Sequence, residues 1–256
     1  MKKINIEMLN PFGAPILHGS LPEDLTESLE DICNKVLDEK ITPWNKNLVG
    51  RIDDEWKVPD LFYRDHKVDV LLDSLFRKYV ETYYIHARKI FNLEKRKPDE
   101  DVYKKDFKIN IHRGDGWVNS MSDGEFNPLH HHSNCDLSSI FYINDYQGDE
   151  PRLVEGSKQN QENKGGQTEF IIGSYPNGAV PQMIQGKRIF SQGFPLMTHF
   201  PVTPKRGDFF IFPHWLLHTV YPFVGKDRRL SFSINYRYQI DLTHDSILND
   251  YSGENP

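Results

Sequence analysis

Cysteine is scarce in this sequence of 256 residues, which contains only two, Cys33 and Cys135. They lie in different contexts and form neither a disulfide framework nor a CxxC metal or redox motif. No stretch approaches the roughly 20 apolar residues of a membrane span, and the N-terminus lacks the apolar run of a signal peptide. These absences predict a cytoplasmic protein in a reducing compartment, without a membrane partner.

Clustered positive charge is also missing. The formal net charge is -6, and no run of Lys or Arg is long enough to cover a face of the protein. Residues 94–108 mix both signs and are typical of a solvated linker. Nucleic acid is therefore not an expected partner. The sequence has no internal repeat, and it leaves the oligomeric state open.

The first part of the chain shows helical periodicity. Apolar residues recur at helical spacing over residues 22–39, and the SLPE stretch of residues 20–23 has the spacing of a capping box. A second apolar set with a period near 3.6 predicts a long helix from about 66 to 93. Residues 41–60 show no period and are predicted to form a loop, whereas residues 4–9 alternate weakly, as an edge strand does.

After Tyr103 the sequence changes to short alternating or apolar runs separated by Gly, Pro, Asn and Asp. The runs are FKINIH, GWVNSM, LSSIFYIN, TEFIIG, KRIF, HFPV, DFFIFP, HTVYPF and RLSFSINYRY. Many short strands that follow helices predict a β-sandwich or barrel packed against a helical layer. The polar residues 155–168 interrupt the series and are predicted to form a mobile loop that could act as a lid.

Three consecutive histidines precede one of these strands. In an extended chain His130 and His132 point to the same side, so both could bind one metal ion. An exposed polar loop is the alternative explanation for the triplet. If no bulge intervenes, the same face of the strand also includes Asp136, Ser138, Ile140 and Tyr142.

His218, at the end of the apolar run DFFIFPHWLL, is the best candidate for a third ligand. Two ligands from one strand and a third from a distant strand are how a jelly-roll barrel assembles an open, facial metal site. His214, between Pro213 and Trp215, is the weaker competitor.

In RLSFSINYRY, polar residues that include Arg229 and Ser231 alternate with apolar ones. If the polar face points into the barrel, the buried guanidinium of Arg229 needs an acidic partner. The strand provides none locally, so the carboxylate of a bound small molecule fits that role, with a hydrogen bond from Ser231. An exterior Arg229 with a salt bridge at the rim is an equal alternative.

The combined pattern resembles the iron(II) and 2-oxoglutarate-dependent oxygenases of the double-stranded β-helix type, including those of bacteriophages and marine bacteria. The matching segments are GWVN, EFNPLHHH, LSSIFYIN, GDFFIFPHWLLHTVYPF and RRLSFSIN, and the front segments FGAPILHGSLPEDL and NLVGRI are similar too. The resemblance implies a mainly β fold: a jelly-roll or cupin-like barrel with an N-terminal helical layer. It implies one oxygenase domain over 1–256, with helical support in 1–100, the jelly-roll core in 101–240 and a C-terminal tail in 241–256.

The resemblance also implies roles for single residues. The iron ligands would be His130, His132 and His218. Arg229 and Ser231 would bind the distal carboxylate of 2-oxoglutarate, and the Tyr142 hydroxyl would add a hydrogen bond to it. Trp117 and Asn119 are weaker candidates for the wall of the cavity.

One position departs from the family pattern. The usual triad has Asp or Glu where this sequence has His132. Asp136 is the nearest carboxylate, but four strand residues correspond to about 13 Å, so it could bind the metal only after a bulge or loop. Three imidazoles would let zinc, nickel or copper compete strongly with iron.

The resemblance implies an enzyme, a 2-oxoglutarate-dependent dioxygenase that uses Fe(II) and O2. It would convert the small-molecule cosubstrate to succinate and carbon dioxide and hydroxylate an unidentified substrate. Two alternatives stay open. The first is a cupin-like metal-dependent enzyme that does not use 2-oxoglutarate, which leaves Arg229 without a role. The second is a non-catalytic jelly-roll binding module with a structural metal.

Overall fold

The structure is a computed structural model that describes residues 4–9, 14–66, 68–90, 107–145, 165–172, 182–184, 187–189 and 199–242. Its helices are α1 (Glu23–Glu39), α2 (Asp60–Asp65) and α3 (Asp69–Ile90), with a 3-10 turn at Asn45–Asn47. The strands before residue 130 are β1 (Ile6–Leu9), β2 (Ile16–Ser20), β3 (Asp54–Lys57), β4 (Phe107–Met121) and β5 (Asn127–His130). The later strands are β6 (Leu137–Tyr142), β7 (Thr168–Ile171), β8 (Gln182–Ile184), β9 (Lys187–Ile189), β10 (His199–Val202), β11 (Asp208–Pro213), β12 (Leu217–Val220) and β13 (Arg229–Leu242).

Two antiparallel sheets form the barrel. The large sheet has seven strands in the order β1-β2-β11-β6-β13-β4-β3, and the small sheet has four in the order β10-β7-β12-β5. From β4 onward, successive strands alternate between the two sheets, with one exception. Strands β7 and β10 both lie in the small sheet, and β8 and β9, between them in the sequence, form a separate pair. This alternation is the arrangement of a double-stranded β-helix, so the predicted mainly β fold is confirmed.

The period-2 alternation of the strands separates two cores. On one side of the large sheet, Phe141 of β6 and Phe209 of β11 belong to the same buried cluster as residues of α1 and α3. On the other side, Ile140 and Phe210 belong to a cluster between the two sheets, together with Phe170 of the small sheet. The helices therefore cover one face of the large sheet and leave its other face to the barrel interior.

The predicted helices over 22–39 and 66–93 are confirmed, as α1 and α3. The predicted capping box is wrong: the N-cap is Pro22, and no side chain caps the helix. Ser20 lies at the end of β2 and pairs with Asp208 of β11. The short helix α2 was not predicted. No helix in the described part of the chain is long and apolar enough to span a membrane.

The N-terminal segment also contributes strands. The predicted edge strand at 4–9 is confirmed as β1. The predicted loop 41–60 contains β3, which pairs with β4 at the edge of the large sheet. The segment predicted to be helical support thus contributes three strands to that sheet. The domain boundaries stay a prediction, and most of the predicted lid, 155–164, lies outside the described residues.

Candidate metal centre and adjoining cavity

Three imidazoles converge where the two ligand-bearing strands of the small sheet pair. His218 of β12 is the register partner of His130 of β5. One ring nitrogen from each of His130, His132 and His218 lies within 4.8 Å of the others, the arrangement of a metal-binding group. The Nε2 atoms of His132 and His218 are 3.2 Å apart. Two nitrogen ligands about 2.1 Å from one ion lie roughly 3.0 to 3.4 Å apart, so this separation fits a shared cation.

Backbone carbonyls set the ring orientation of two of these histidines. The Nδ1–H group of His130 donates to the Pro128 carbonyl at 2.7 Å, and that of His218 donates to the Leu216 carbonyl at 2.9 Å. A neutral imidazole with its proton on Nδ1 has a free lone pair on Nε2. Both Nε2 atoms are therefore available as ligands, and each ring has the hydrogen bond from its other nitrogen that is usual for metal-binding histidines.

Burial keeps the triad neutral. Burial, together with the neighbouring His130, His131 and His214, lowers the pKa of His132 to about 3. Burial likewise lowers the pKa of His130, and it lowers the pKa of His218 well below its ordinary value. Metal binding requires deprotonated imidazoles. Near neutral pH the three rings have the protonation state of ligands.

His132 is not part of the strand that contains His130. Strand β5 ends at His130, and β6 begins at Leu137 in the other sheet, so the continuous strand assumed from the sequence is wrong. His132 is held instead by His214: its N–H donates to the His214 carbonyl at 3.0 Å, and the His214 Nδ1–H donates to the His132 carbonyl at 3.1 Å. His214, the competing ligand candidate, lies outside the triad and anchors its backbone.

Asp136 does not face the triad. Its carboxylate accepts a hydrogen bond from the Tyr238 N–H of β13 at 2.9 Å, and its own N–H donates to the Tyr236 carbonyl at 2.9 Å. These contacts turn Asp136 towards β13. The donor set at the centre is three neutral nitrogens, which suit Fe(II) and other divalent ions of the first transition row.

Arg229 of β13 is buried, with 1% of its surface exposed. Its Nε–H donates to the Gly166 carbonyl at 2.9 Å, its Nη2–H to Thr168 Oγ1 at 3.0 Å and its Nη1–H to Ser231 Oγ at 3.2 Å. Within the described residues no carboxylate pairs with it. Burial lowers the pKa of Arg229, as expected for a buried cation that lacks an acidic partner. Of the two orientations that the sequence left open for Arg229, the structure has the inward one.

Tyr142 lies beside the same guanidinium. The guanidinium carbon of Arg229 is 5.2 Å from the centre of the Tyr142 ring. The Tyr142 hydroxyl donates to Thr168 Oγ1 at 2.8 Å, the oxygen that also accepts from Arg229. Thr168 and Gly166 were not singled out from the sequence. The only sequence signal for Thr168 was its place at the start of the predicted strand TEFIIG.

One cavity of about 990 Å³ joins the imidazole triad to Arg229. Its lining includes Trp117 and Asn119, the two weaker candidates from the sequence, as well as Ile140, Phe212, Ser231 and Ser233. The Trp117 ring centre is 5.8 Å from that of His132. A small molecule could therefore contact the triad at one end and the buried guanidinium at the other.

Residues 115–235 match the model of a family described as "Putative 2OG-Fe(II) oxygenase", where 2OG is 2-oxoglutarate. This segment is therefore similar to the 2OG-Fe(II) oxygenases. The matched segment contains the triad, Tyr142, Arg229 and Ser231. The 2OG-Fe(II) oxygenases use Fe(II), 2-oxoglutarate and O2 as cofactor and cosubstrates. The neutral nitrogen donors and the unpaired buried guanidinium fit the first two.

Several solved oxygenase structures show a distant likeness to the chain. A Pseudomonas putida prolyl-4-hydroxylase is 16% identical over 88% of this chain and 93% of that chain, with a TM-score of 0.47. A Trichoplax adhaerens prolyl hydroxylase, solved with a hypoxia inducible factor peptide, is 15% identical over 91% and 83% of the two chains, with a TM-score of 0.45. HygX from Streptomyces hygroscopicus, solved with nickel and 2-oxoglutarate, is 13% identical over 89% and 83%, with a TM-score of 0.42. A search of curated proteins found no match.

Proposed function

We propose that the chain is an Fe(II)/2-oxoglutarate-dependent dioxygenase that hydroxylates a substrate C–H bond while 2-oxoglutarate is decarboxylated to succinate. His130, His132 and His218 hold the iron, and Arg229 with Ser231 binds the distal carboxylate of 2-oxoglutarate. The observation that supports this most directly is the buried Arg229, which has no acidic partner among the described residues and shares a cavity with three convergent imidazoles.

Charge explains why this pair of sites favours 2-oxoglutarate. An unpaired guanidinium in a buried cavity is costly, and a carboxylate that pairs with it through two parallel hydrogen bonds removes much of that cost. Three neutral histidines leave the charge of a divalent ion uncompensated at the other end of the cavity. A dianion with one carboxylate at each end neutralises the guanidinium and lowers the charge of the metal site by one unit.

The chain's own residues hold the two ends in place. Pro128 and Leu216 orient His130 and His218 through their carbonyls, and His214 anchors the backbone of His132. Thr168 orders the guanidinium of Arg229 and the hydroxyl of Tyr142 together. When bound, the metal and 2-oxoglutarate activate O2 for oxidation of the substrate. The apolar walls formed by Trp117 and Phe212 limit access of water to that end of the cavity.

The test compares Arg229→Ala with Arg228→Ala in the metal-loaded protein. Arg228 is half exposed and pairs with Asp54 at 2.5 Å, so it is a matched control of the same residue type. Arg229→Ala is expected to keep nearly stoichiometric metal and to lose both 2-oxoglutarate-dependent succinate formation and the rise in melting temperature that 2-oxoglutarate causes. Arg228→Ala is expected to keep all three.

Succinate formation that persists in Arg229→Ala would show that another arginine binds the cosubstrate. A wild-type protein that binds metal but shows no thermal shift with 2-oxoglutarate, in the presence of Mn(II), would favour the metal-dependent enzyme that does not use 2-oxoglutarate.

A further inference from the structure

Glu55 of β3 is a buried carboxyl group that the proposed reaction does not use. Only 1% of its surface is exposed, and neither carboxylate oxygen has a hydrogen-bond partner among the described residues. Its register partner on β4 is Asn119, which is also buried and whose Oδ1 likewise has no donor. Directly opposed residues of an antiparallel pair share a face, with Cβ atoms about 5 Å apart. Both residues therefore have acceptors without donors on the same buried face of neighbouring strands.

Such an arrangement is unfavourable unless a proton lies between the two groups. A buried acceptor without a donor destabilises the folded state, and two acceptors cannot form a hydrogen bond with each other. We propose that Glu55 is a neutral carboxylic acid whose O–H donates to Asn119 Oδ1. One proton then satisfies an oxygen on each residue and removes the need for a buried negative charge.

The charges around Glu55 favour the protonated form. Burial, together with the negative charge of Glu125, raises the pKa of Glu55 to about 8. Arg51 and Asp53, on the loop before β3, are exposed and screened by solvent. Arg229, the cation on the same side of the large sheet, is held by Gly166 and Thr168. None of these charges forms an ion pair with Glu55 in the described part of the chain.

Protonated Glu55 would position the wall of the cosubstrate cavity. Asn119 Nδ2–H donates to Ser233 Oγ at 3.4 Å, and Asn119 is the register partner of Ser231, which accepts from Arg229. Glu55, Asn119 and Ser231 thus lie side by side on three neighbouring strands. Glu55 is a positioning residue for Asn119, and its effect on 2-oxoglutarate rests on the proposed function. Ionised Glu55 would repel Asn119 Oδ1 and release that side chain.

The first experiment measures the protonation state without any ligand. Infrared difference spectra between wild type and Glu55→Gln are expected to show the C=O stretch of a protonated carboxyl group at pH 6.5. That band should disappear as the pH rises through about 8. In Glu125→Gln it should disappear at a lower pH, because a nearby negative charge has been removed. A carboxylate band for Glu55 at pH 6.5 would overturn the proposal.

The second experiment measures the affinity of the Mn(II)-loaded protein for 2-oxoglutarate from pH 6.5 to pH 9. Wild type is expected to lose roughly tenfold in affinity as the pH rises through about 8, the size of one lost buried hydrogen bond. Glu55→Gln retains a neutral donor to Asn119, so its affinity should stay high with no step near pH 8. A step of wild-type size in Glu55→Gln would show that Glu55 does not position the wall. If neither protein binds 2-oxoglutarate, the proposed function fails, and the infrared band alone still decides whether Glu55 is protonated.

Discussion

At the position of His132, a single side chain changes the charge of the candidate metal centre. The usual carboxylate would lower the charge of a dipositive site by one unit, and the neutral imidazole does not. The Nε2 atoms of His132 and His218 are 3.2 Å apart, so His132 belongs to the same group of candidate ligands as His218. Imidazole is a softer ligand than carboxylate and favours nickel, copper and zinc more strongly than a hard oxygen donor does.

Replacing His132 by Asp should therefore change metal preference. We expect His132→Asp to retain Fe(II) or Mn(II) but to bind Ni(II) and Zn(II) more weakly relative to Mn(II), by about tenfold. Competition dialysis with metal analysis measures this ratio. The exposed neighbour His131 lies outside the triad, so His131→Asp makes the same substitution without changing a ligand. An equal change in both variants would indicate a general charge effect and would contradict the assignment of His132 as a ligand.

Among the secondary-structure elements, α2 approaches β4 closely at one glycine. The Gly116 carbonyl accepts a hydrogen bond from the Val58 N–H at 2.8 Å, just before α2. A Cβ atom added at Gly116 would overlap the hydroxyl oxygen of Tyr63, a fully buried residue of α2. That hydroxyl has no hydrogen-bond partner among the described residues. The contact fixes how the helical layer meets the strand that contains Trp117.

Gly116→Ala should destabilise the fold because neither β4 nor α2 can move without disturbing the core. We expect the free energy of unfolding, measured in urea, to fall by about 1 to 3 kcal/mol. Removing the Tyr63 hydroxyl should relieve the overlap, so Tyr63→Phe combined with Gly116→Ala should recover most of the loss. Gly124→Ala is the control. Gly124 has φ +76° and open space at its Cβ position, so it tests backbone strain without crowding. Additive effects of Tyr63→Phe and Gly116→Ala would contradict the proposed overlap.

For the whole molecule, the buried imidazoles link stability to pH. The pKa of His132 is about 3 in the folded protein, against an ordinary value of 6.5. Below pH 6.5 the unfolded chain binds a proton that the folded chain does not bind. Acid therefore favours unfolding, and the loss increases as the pH falls from 6.5 towards 3.

Between pH 7 and pH 5, we expect metal-free wild type to lose about 2 kcal/mol of unfolding free energy through His132 alone. The measurement compares urea unfolding of wild type with that of His132→Asn, in which this titration is absent and the corresponding loss should disappear. Mn(II) at pH 7 should stabilise wild type more than His132→Asn, because a bound ion stabilises the folded state. Parallel pH profiles for the two proteins would contradict the burial of a neutral His132.

The local sequence predicted those helices and strands in which apolar residues recur with the period of a helix or of a strand. The helices α1 and α3 and most strands of the barrel were found in this way. β3 was missed because its four residues, DEWK, have no apolar period, and the strand depends on its pairing with β4, which lies far away in the sequence. The capping box failed because Ser20 pairs with β11, a competing contact that the local sequence does not reveal.

The sequence by itself determined the chemistry of the site: the imidazoles of His130, His132 and His218, and a polar strand face with Arg229. Tertiary structure decided which other groups meet them. Gly166 and Thr168 hold Arg229, His214 anchors His132, and Asn119 faces Glu55. These contacts join segments that lie far apart in the chain. The register between strands determines which residues meet. Strand register depends on packing across the whole sheet, so no local stretch of sequence could specify these neighbours.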